Sequence, residues 1–297
     1  MQVTRGNLNT LFVAFNAAFR AGLGQAPSQY QRIATVVPST TKANEYGWLG
    51  KLPGMREWIG DRVINGIAAH GYTIKNKSYE LTVGVDRDDI EDDNIGIYPP
   101  MMQHMGESVG AQPDQLSFSL LKNGTSTACY DGQNFFDVDH PVLDANGKPA
   151  VQSNVDTSGT GSTWYLLSTK AALKPIIFQS RKDPNFVSMD TETDEAVFTK
   201  KEFRYGADVR RNVGFGFWQM AYASNKDLTA ENLQAAYTAF TERVGDYGRP
   251  LGLVPDLLVV RPNLKFAAAQ ILTAAQIAGT DNVMKGLVDV LDSPWLI

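Results

Sequence analysis

The 297-residue chain has one cysteine, Cys129, and three histidines, and these scarcities exclude several kinds of chemistry. A lone cysteine rules out an intrachain disulfide framework and any zinc site built from paired cysteines. His70, His104 and His140 are widely spaced, and no HExxH pair sets two imidazoles on one helix face. No apolar run approaches the length of a membrane span. The start of the chain, where Arg5 is followed by Asn7, Asn9 and Thr10, lacks the apolar core of a secretory signal. No membrane partner is expected, and the chain is expected to stay in a reducing compartment unless lysis releases it. Basic residues are not in excess either. Twenty-seven Lys and Arg against 32 Asp and Glu leave a formal charge of −5, so phosphate-rich ligands have no broad basic face to bind. Gly159, Thr160, Gly161 and Ser162 resemble a phosphate cradle only in being small, because the lysine of such a loop is missing.

What remains is an ordinary folded composition, 43% apolar and 20% charged, with stability expected from packing or association. Leu8, Leu11, Phe12, Phe15 and Phe19 recur at helical spacing and stop at Gly22 and Gly24, which predicts an amphipathic arm helix. Its stripe packs either on its own chain or on a neighbouring subunit. Between Ser39 and Tyr79, glycines alternate with Tyr46, Trp48, Trp58 and Tyr72, the pattern of an extended hairpin too aromatic to stand alone. Tyr79, Leu81, Val83 and Val85 continue it with strand periodicity. The run DRDDIEDD at 86–93 reads as a solvated acidic face or as acids near a helix start, not as a calcium loop.

Met102, Met105, Val109, Leu116, Leu120 and Leu121 predict one kinked helix or two over 99–124, interrupted at Pro113. Two later helices are expected, one carrying the stripe Leu233, Ala236, Tyr237, Phe240 and Val244 and one opening at Pro262. Strands are expected at Trp164–Leu167, Ile176–Gln179, Val213–Phe217, Leu257–Val260 and Val288–Leu291. Asp144–Ser162 reads as an exposed loop between two halves, and Arg204, Arg210 and Arg211 as a solvated strand face. The class is α+β.

The segment ACYDGQNFFDVDHPV at 128–142 is the one place that invites a catalytic reading. A cysteine hydrolase would use Cys129 and His140, with Asp137 or Asp139 orienting the imidazole. Nucleophile and base are, however, usually distant in sequence, and a lone cysteine is most often a small apolar residue. The reading preferred is a structural turn anchored by Phe135 and Phe136, with Asp137 and Asp139 bonding local amides. No catalytic residue, cofactor or metal is assigned.

HGYTIKNKSYELTVGVDRDDIEDDNIGIY at 70–98 and LLKNGTSTACYDGQNFFDVDHP at 120–141 resemble the signature blocks of Mu-like phage major head subunits. LPGMREWIGDR at 52–62, KPIIFQ at 174–179 and DSPWLI at 292–297 are similar to the flanking segments, so the resemblance spans nearly the whole chain. It implies an HK97-like capsid fold with four parts. These are an N-terminal arm at 1–37, an extended loop at 38–82, a peripheral domain at 83–150 with a spine helix at about 99–124, and an axial domain with return strands at 151–297. It further implies a major capsid protein, not an enzyme, that self-assembles into hexamers and pentamers of an icosahedral head around double-stranded DNA. Portal, scaffold and maturation protease are implied partners, with a decoration protein as an additional one and packaged DNA touched nonspecifically. The chain lacks a long charged helical prefix, so the scaffold is expected to be separate. Assembly in the host cytoplasm and residence in the virion follow. A tail or baseplate protein is the other assembling alternative. Candidate inter-subunit contacts are Leu8, Leu11, Phe12, Phe15, Phe19, Tyr46, Trp48, Trp58, Tyr72 and Tyr79.

Overall fold

A computed structural model describes residues 2–47, 49, 71–92, 94–191, 193–277 and 279–297. Trp48 and Trp58, with His70 and most of the expected extended loop, lie outside the described residues. Helix α1 (Arg5–Gln25) opens the chain, its N-cap Thr4 accepting a hydrogen bond from the Asn7 amide. A one-turn helix, α2 (Tyr30–Ile33), leads into strand β1 (Ala34–Pro38). Strands β2 (Ala43–Glu45) and β3 (Thr73–Lys75) pair antiparallel. Strand β4 (Lys77–Asp86) pairs along its whole length with a later strand, so it belongs to a sheet and not to a projecting hairpin.

The acidic run then starts a short helix, α3 (Arg87–Glu91), whose N-cap Asp86 accepts from the Asp88 amide. Helix α4 (Tyr98–Lys122) begins with Pro99 and Pro100, where missing N–H groups cost nothing, and runs unbroken through Pro113. Asp114, buried beside that proline, turns its carboxylate to the amides of Gln29 and Tyr30 at 2.7–2.9 Å and so fixes the start of α2.

Strand β5 (His140–Leu143) comes next, and β6 (Pro149–Gln152) and β7 (Val155–Asp156) occupy part of the 144–162 stretch expected to be an exposed loop. The correction has a tertiary cause: β5 and β6 form a hairpin, and β7 lies parallel to a strand some seventy residues later. Strand β8 (Trp164–Leu167) follows, then the long hairpin of β9 (Ile176–Met189) and β10 (Glu202–Phe215) with α5 (Glu195–Lys200) between them. The remaining elements are β11 (Ala221–Ser224), α6 (Ala230–Thr241), β12 (Leu257–Val260), α7 (Lys265–Leu272), the small pair β13 (Gln276–Ile277) and β14 (Thr280–Asp281), and β15 (Asp289–Asp292).

Two sheets organise these elements, ordered β1-β9-β10-β4 and β15-β12-β8-β11-β7. Alternate residues of β10, Phe203, Tyr205, Ala207 and Val209, face a core shared with the α1 stripe and with Met102 and Met105 of α4. Arg211 continues that parity and is therefore buried, not on a solvated face as expected. In the second sheet, β8 and β12 are buried on both faces, which is why WYLL and LLVV are uninterrupted apolar runs. Trp164, Leu166, Leu258 and Val260 meet α6 and α7, while Tyr165, Leu167, Leu257 and Val259 enter a third core. That third core also takes Phe118, Phe135, Phe136, Phe178 and Phe215, and so joins the two sheets.

Candidate functional site

The loop after α4 is built as a tight return. Gly132 adopts a positive φ of 89°, which glycine alone adopts without cost, and the Cys129 amide donates to the Gln133 carbonyl at 2.8 Å. This brings Asp131 under His140, the first residue of β5. His140 Nδ1 sits 2.7 Å from Asp131 Oδ2, and the Cys129 thiol donates to Asp131 Oδ1 at 3.0 Å. Asp131, and neither Asp137 nor Asp139, orients the imidazole. Asp137 bonds the Val138 amide and the Asn134 side chain, and its carboxyl lies low: burial raises it, but these bonds outweigh that.

The His140 ring stacks on Trp218 at 4.0 Å and 7°, and Phe135 stacks on Phe215 at 4.0 Å and 6°. Asn154, fully buried, donates to the Phe135 and Trp218 carbonyls and accepts from the Asp137 amide. The loop is thus nailed to the core that joins the sheets, as its two phenylalanines led us to expect.

The electrostatics oppose nucleophilic chemistry. Burial, then the hydrogen bond and charge of Asp131, push the Cys129 thiol far above its ordinary range. Burial also raises the Asp131 carboxyl, but the bonds from His140, Cys129 and the Gln133 amide outweigh it and leave it below its usual value. A carboxylate wedged against the thiol holds its proton in place, where a nucleophile needs the imidazole to take it.

A second polar cluster fixes the base of the extended loop. The Tyr46 hydroxyl donates to Gln179 Oε1 at 2.8 Å, and Gln179 Nε2 donates to Asn76 Oδ1 at 2.8 Å and to the Ile74 carbonyl at 3.2 Å. The Tyr72 hydroxyl accepts from the Phe215 amide at 2.8 Å, and its desolvation lifts its pKa to about 12. Both ends of the loop are therefore tied to β9 and β10.

Of the expected contact residues, Leu8, Leu11, Phe15 and Phe19 are buried within the chain itself, Phe15 edge-on to Tyr205 at 5.0 Å. This is the in-chain alternative for the arm stripe. Tyr46 is likewise buried, while Phe12, Tyr72 and Tyr79 are half-buried. The sequence reading missed the large exposed apolar residues Phe198, Phe266 and Val283, which are 83%, 82% and 93% exposed. Phe266 had a signal: it falls off the stripe formed by Leu264, Ala268, Ile271 and Leu272. Among the described residues no helix is long and apolar enough to cross a membrane.

The sequence profile of the Mu-like prophage major head subunit gpT family matches residues 8–296. The chain is 45% identical to the major capsid protein of Escherichia phage Mu over 305 residues, covering all of both chains. It superposes on the procapsid subunit of bacteriophage JBD30 with a TM-score of 0.86 and 48% identity, over 99% of this chain and 100% of that one. The subunit of the JBD30 capsid decorated with minor capsid protein trimers gives 0.79 and 40%, over 94% of each chain. The α+β architecture is thus that of a phage capsid subunit. With a protonated thiol in place of a nucleophile, and a family match over almost its whole length, the chain belongs to the Mu-like prophage major head subunits, structural major capsid proteins of the phage head and not enzymes.

Proposed function

We propose that this chain forms the hexamers and pentamers of a closed icosahedral shell around double-stranded DNA, and that its parts divide the work. The observation that carries this reading is the polar cluster at Gln179, which ties both ends of the 46–72 stretch to the rigid β9–β10 hairpin. The part anchored at this base is the one proposed to meet a neighbouring subunit. On this reading 1–37 is the arm, 38–82 the extended loop, 83–150 the peripheral domain with α4 as spine, and 151–297 the axial domain with return strands.

The packing of the arm supports a role as an internal brace. The outward contacts are assigned instead to Phe198 at the end of the β9–β10 hairpin and to Phe266 and Val283 of the axial domain. Each is a large apolar side chain that a neighbouring subunit would cover. A scaffold, a portal and a maturation protease act during assembly in the host cytoplasm. Because a related head carries minor capsid protein trimers, we include such a trimer among the partners. Packaged DNA is touched weakly, in keeping with the acidic balance of the chain.

Electron microscopy of the chain co-expressed with the scaffold of its own phage tests the proposal. Closed shells of uniform diameter are expected. Tubes with tail-like striation, or particles no larger than a monomer under every condition, would overturn it.

A further inference from the structure

Outside the assembly surfaces, one cluster among the described residues has the composition of a ligand set. Cys129 Sγ, a carboxylate oxygen of Asp131 and His140 Nδ1 all lie within 4.8 Å of one another, held by a turn, a strand start and the ring stack on Trp218. We propose that Cys129, Asp131 and His140 bind a zinc ion through these three atoms, with water in the fourth position.

Three observations carry the assignment. First, the donors are a thiolate, an imidazole and a carboxylate, the mixture that suits zinc in preference to magnesium or calcium. A tetrahedral zinc with bonds of about 2.0–2.3 Å spaces its ligand atoms by roughly 3.3–3.8 Å, so Asp131 has to withdraw from the two groups it now bonds at 2.7 and 3.0 Å. Second, the charge balances. Thiolate, carboxylate, neutral imidazole and a dication sum to zero, which suits a site where the Asp131 side chain is only 10% exposed. Third, the ring is already oriented. Trp218 fixes its plane, and Nδ1 faces the other two donors.

Binding is a proton exchange. The Cys129 thiol proton leaves to solvent, the imidazole proton moves from Nδ1 to the vacant Nε2, and the metal takes the freed lone pairs. One proton is released per ion, so uptake strengthens as pH rises. A zinc at this point would join the end of α4, the start of β5 and, through Trp218, the core between the two sheets. It would brace the junction independently of shell formation.

The test uses the purified full-length chain, stripped with a chelator and titrated with zinc and, separately, with cobalt(II). One metal per chain, a cobalt–thiolate charge-transfer band and a raised thermal midpoint with zinc are expected. Cys129→Ser is expected to lose the band and the zinc-dependent shift while keeping the metal-free midpoint within a few degrees, because the serine hydroxyl still donates to Asp131. Failure of the folded chain to retain metal would overturn the proposal. So would a band or a zinc-induced shift that persists unchanged in Cys129→Ser.

Discussion

Arg211 donates from Nη2 to the carbonyl of Val109 at 2.9 Å, the same carbonyl that Pro113, having no N–H, leaves without its helical partner. Its Nε donates to Gln112 Oε1 at 2.7 Å, so a strand of the sheet repairs the break that the proline makes in the long helix. Burial lowers the Arg211 pKa to about 10, and the side chain stays charged at neutral pH.

Arg211→Leu should therefore cost about 1–3 kcal/mol, the penalty of an unsatisfied buried carbonyl. Pro113→Ala restores a donor to Val109, so the same Arg211→Leu change should cost less in that background. A double-mutant cycle by urea denaturation reads the coupling, and strict additivity of the two changes would refute the repair.

Helices α1 and α4 cross where neither has room for a side chain. A β-carbon on Gly22 would sit 1.9 Å from the Gln103 carbonyl oxygen, and one on Gly106 would sit 2.0 Å from the Phe19 carbonyl oxygen. Gly22→Ala is expected to destabilise by about 1–3 kcal/mol despite its better helix propensity. Gly24→Ala, with open space around it, should be neutral or stabilising. Thermal midpoints of the two variants, compared side by side, check this.

Acid should loosen the edge of the second sheet. Hydrogen bonds from Lys226 and Ser158 push the Asp156 carboxyl down to about 2 from 3.8. Because the folded value lies below the unfolded one, the stabilisation is complete above the unfolded value and is lost as pH falls from 3.8 toward about 2. Asp156→Asn should flatten this part of the stability profile. Unfolding curves collected across that interval for both proteins measure it.

Cys129 should resist alkylation. Its thiol is buried and donates to a carboxylate, so the reactive thiolate is scarce at neutral pH. Iodoacetamide labelling of the folded chain should run at least about tenfold slower than labelling in denaturant. Fast labelling would return the nucleophile reading to consideration.

Strands whose partners lie on both faces announced themselves in the sequence. Trp164–Leu167 and Leu257–Val260 appear at the residues expected, because a strand buried on two sides can afford no polar position. Elements held by distant partners did not. Residues 149–156 lie in a stretch that reads as loop, yet the hairpin with β5 makes a strand of 149–152 and the parallel pairing with β11 makes one of 155–156. Arg211 was misplaced because three nearby arginines suggest one face, whereas strand parity divides Arg210 from Arg211. In the 128–142 segment the acidic residues adjacent to His140 drew the eye. The positive φ at Gly132, invisible to spacing, delivers Asp131 instead.

The order β1-β9-β10-β4 has a consequence for the life of the chain. Its strands come from residues 34–38, 176–189, 202–215 and 77–86, so the sheet cannot close before residue 215 has been made. The other sheet waits longer still, since β15 at 289–292 lies parallel to β12 on its edge. Pairings of such long range form late and slowly. A chain cut short before residue 215 therefore lacks a closed first sheet, and one cut short before residue 289 still lacks the edge strand of the second, so the topology leaves any such fragment with an unfinished core.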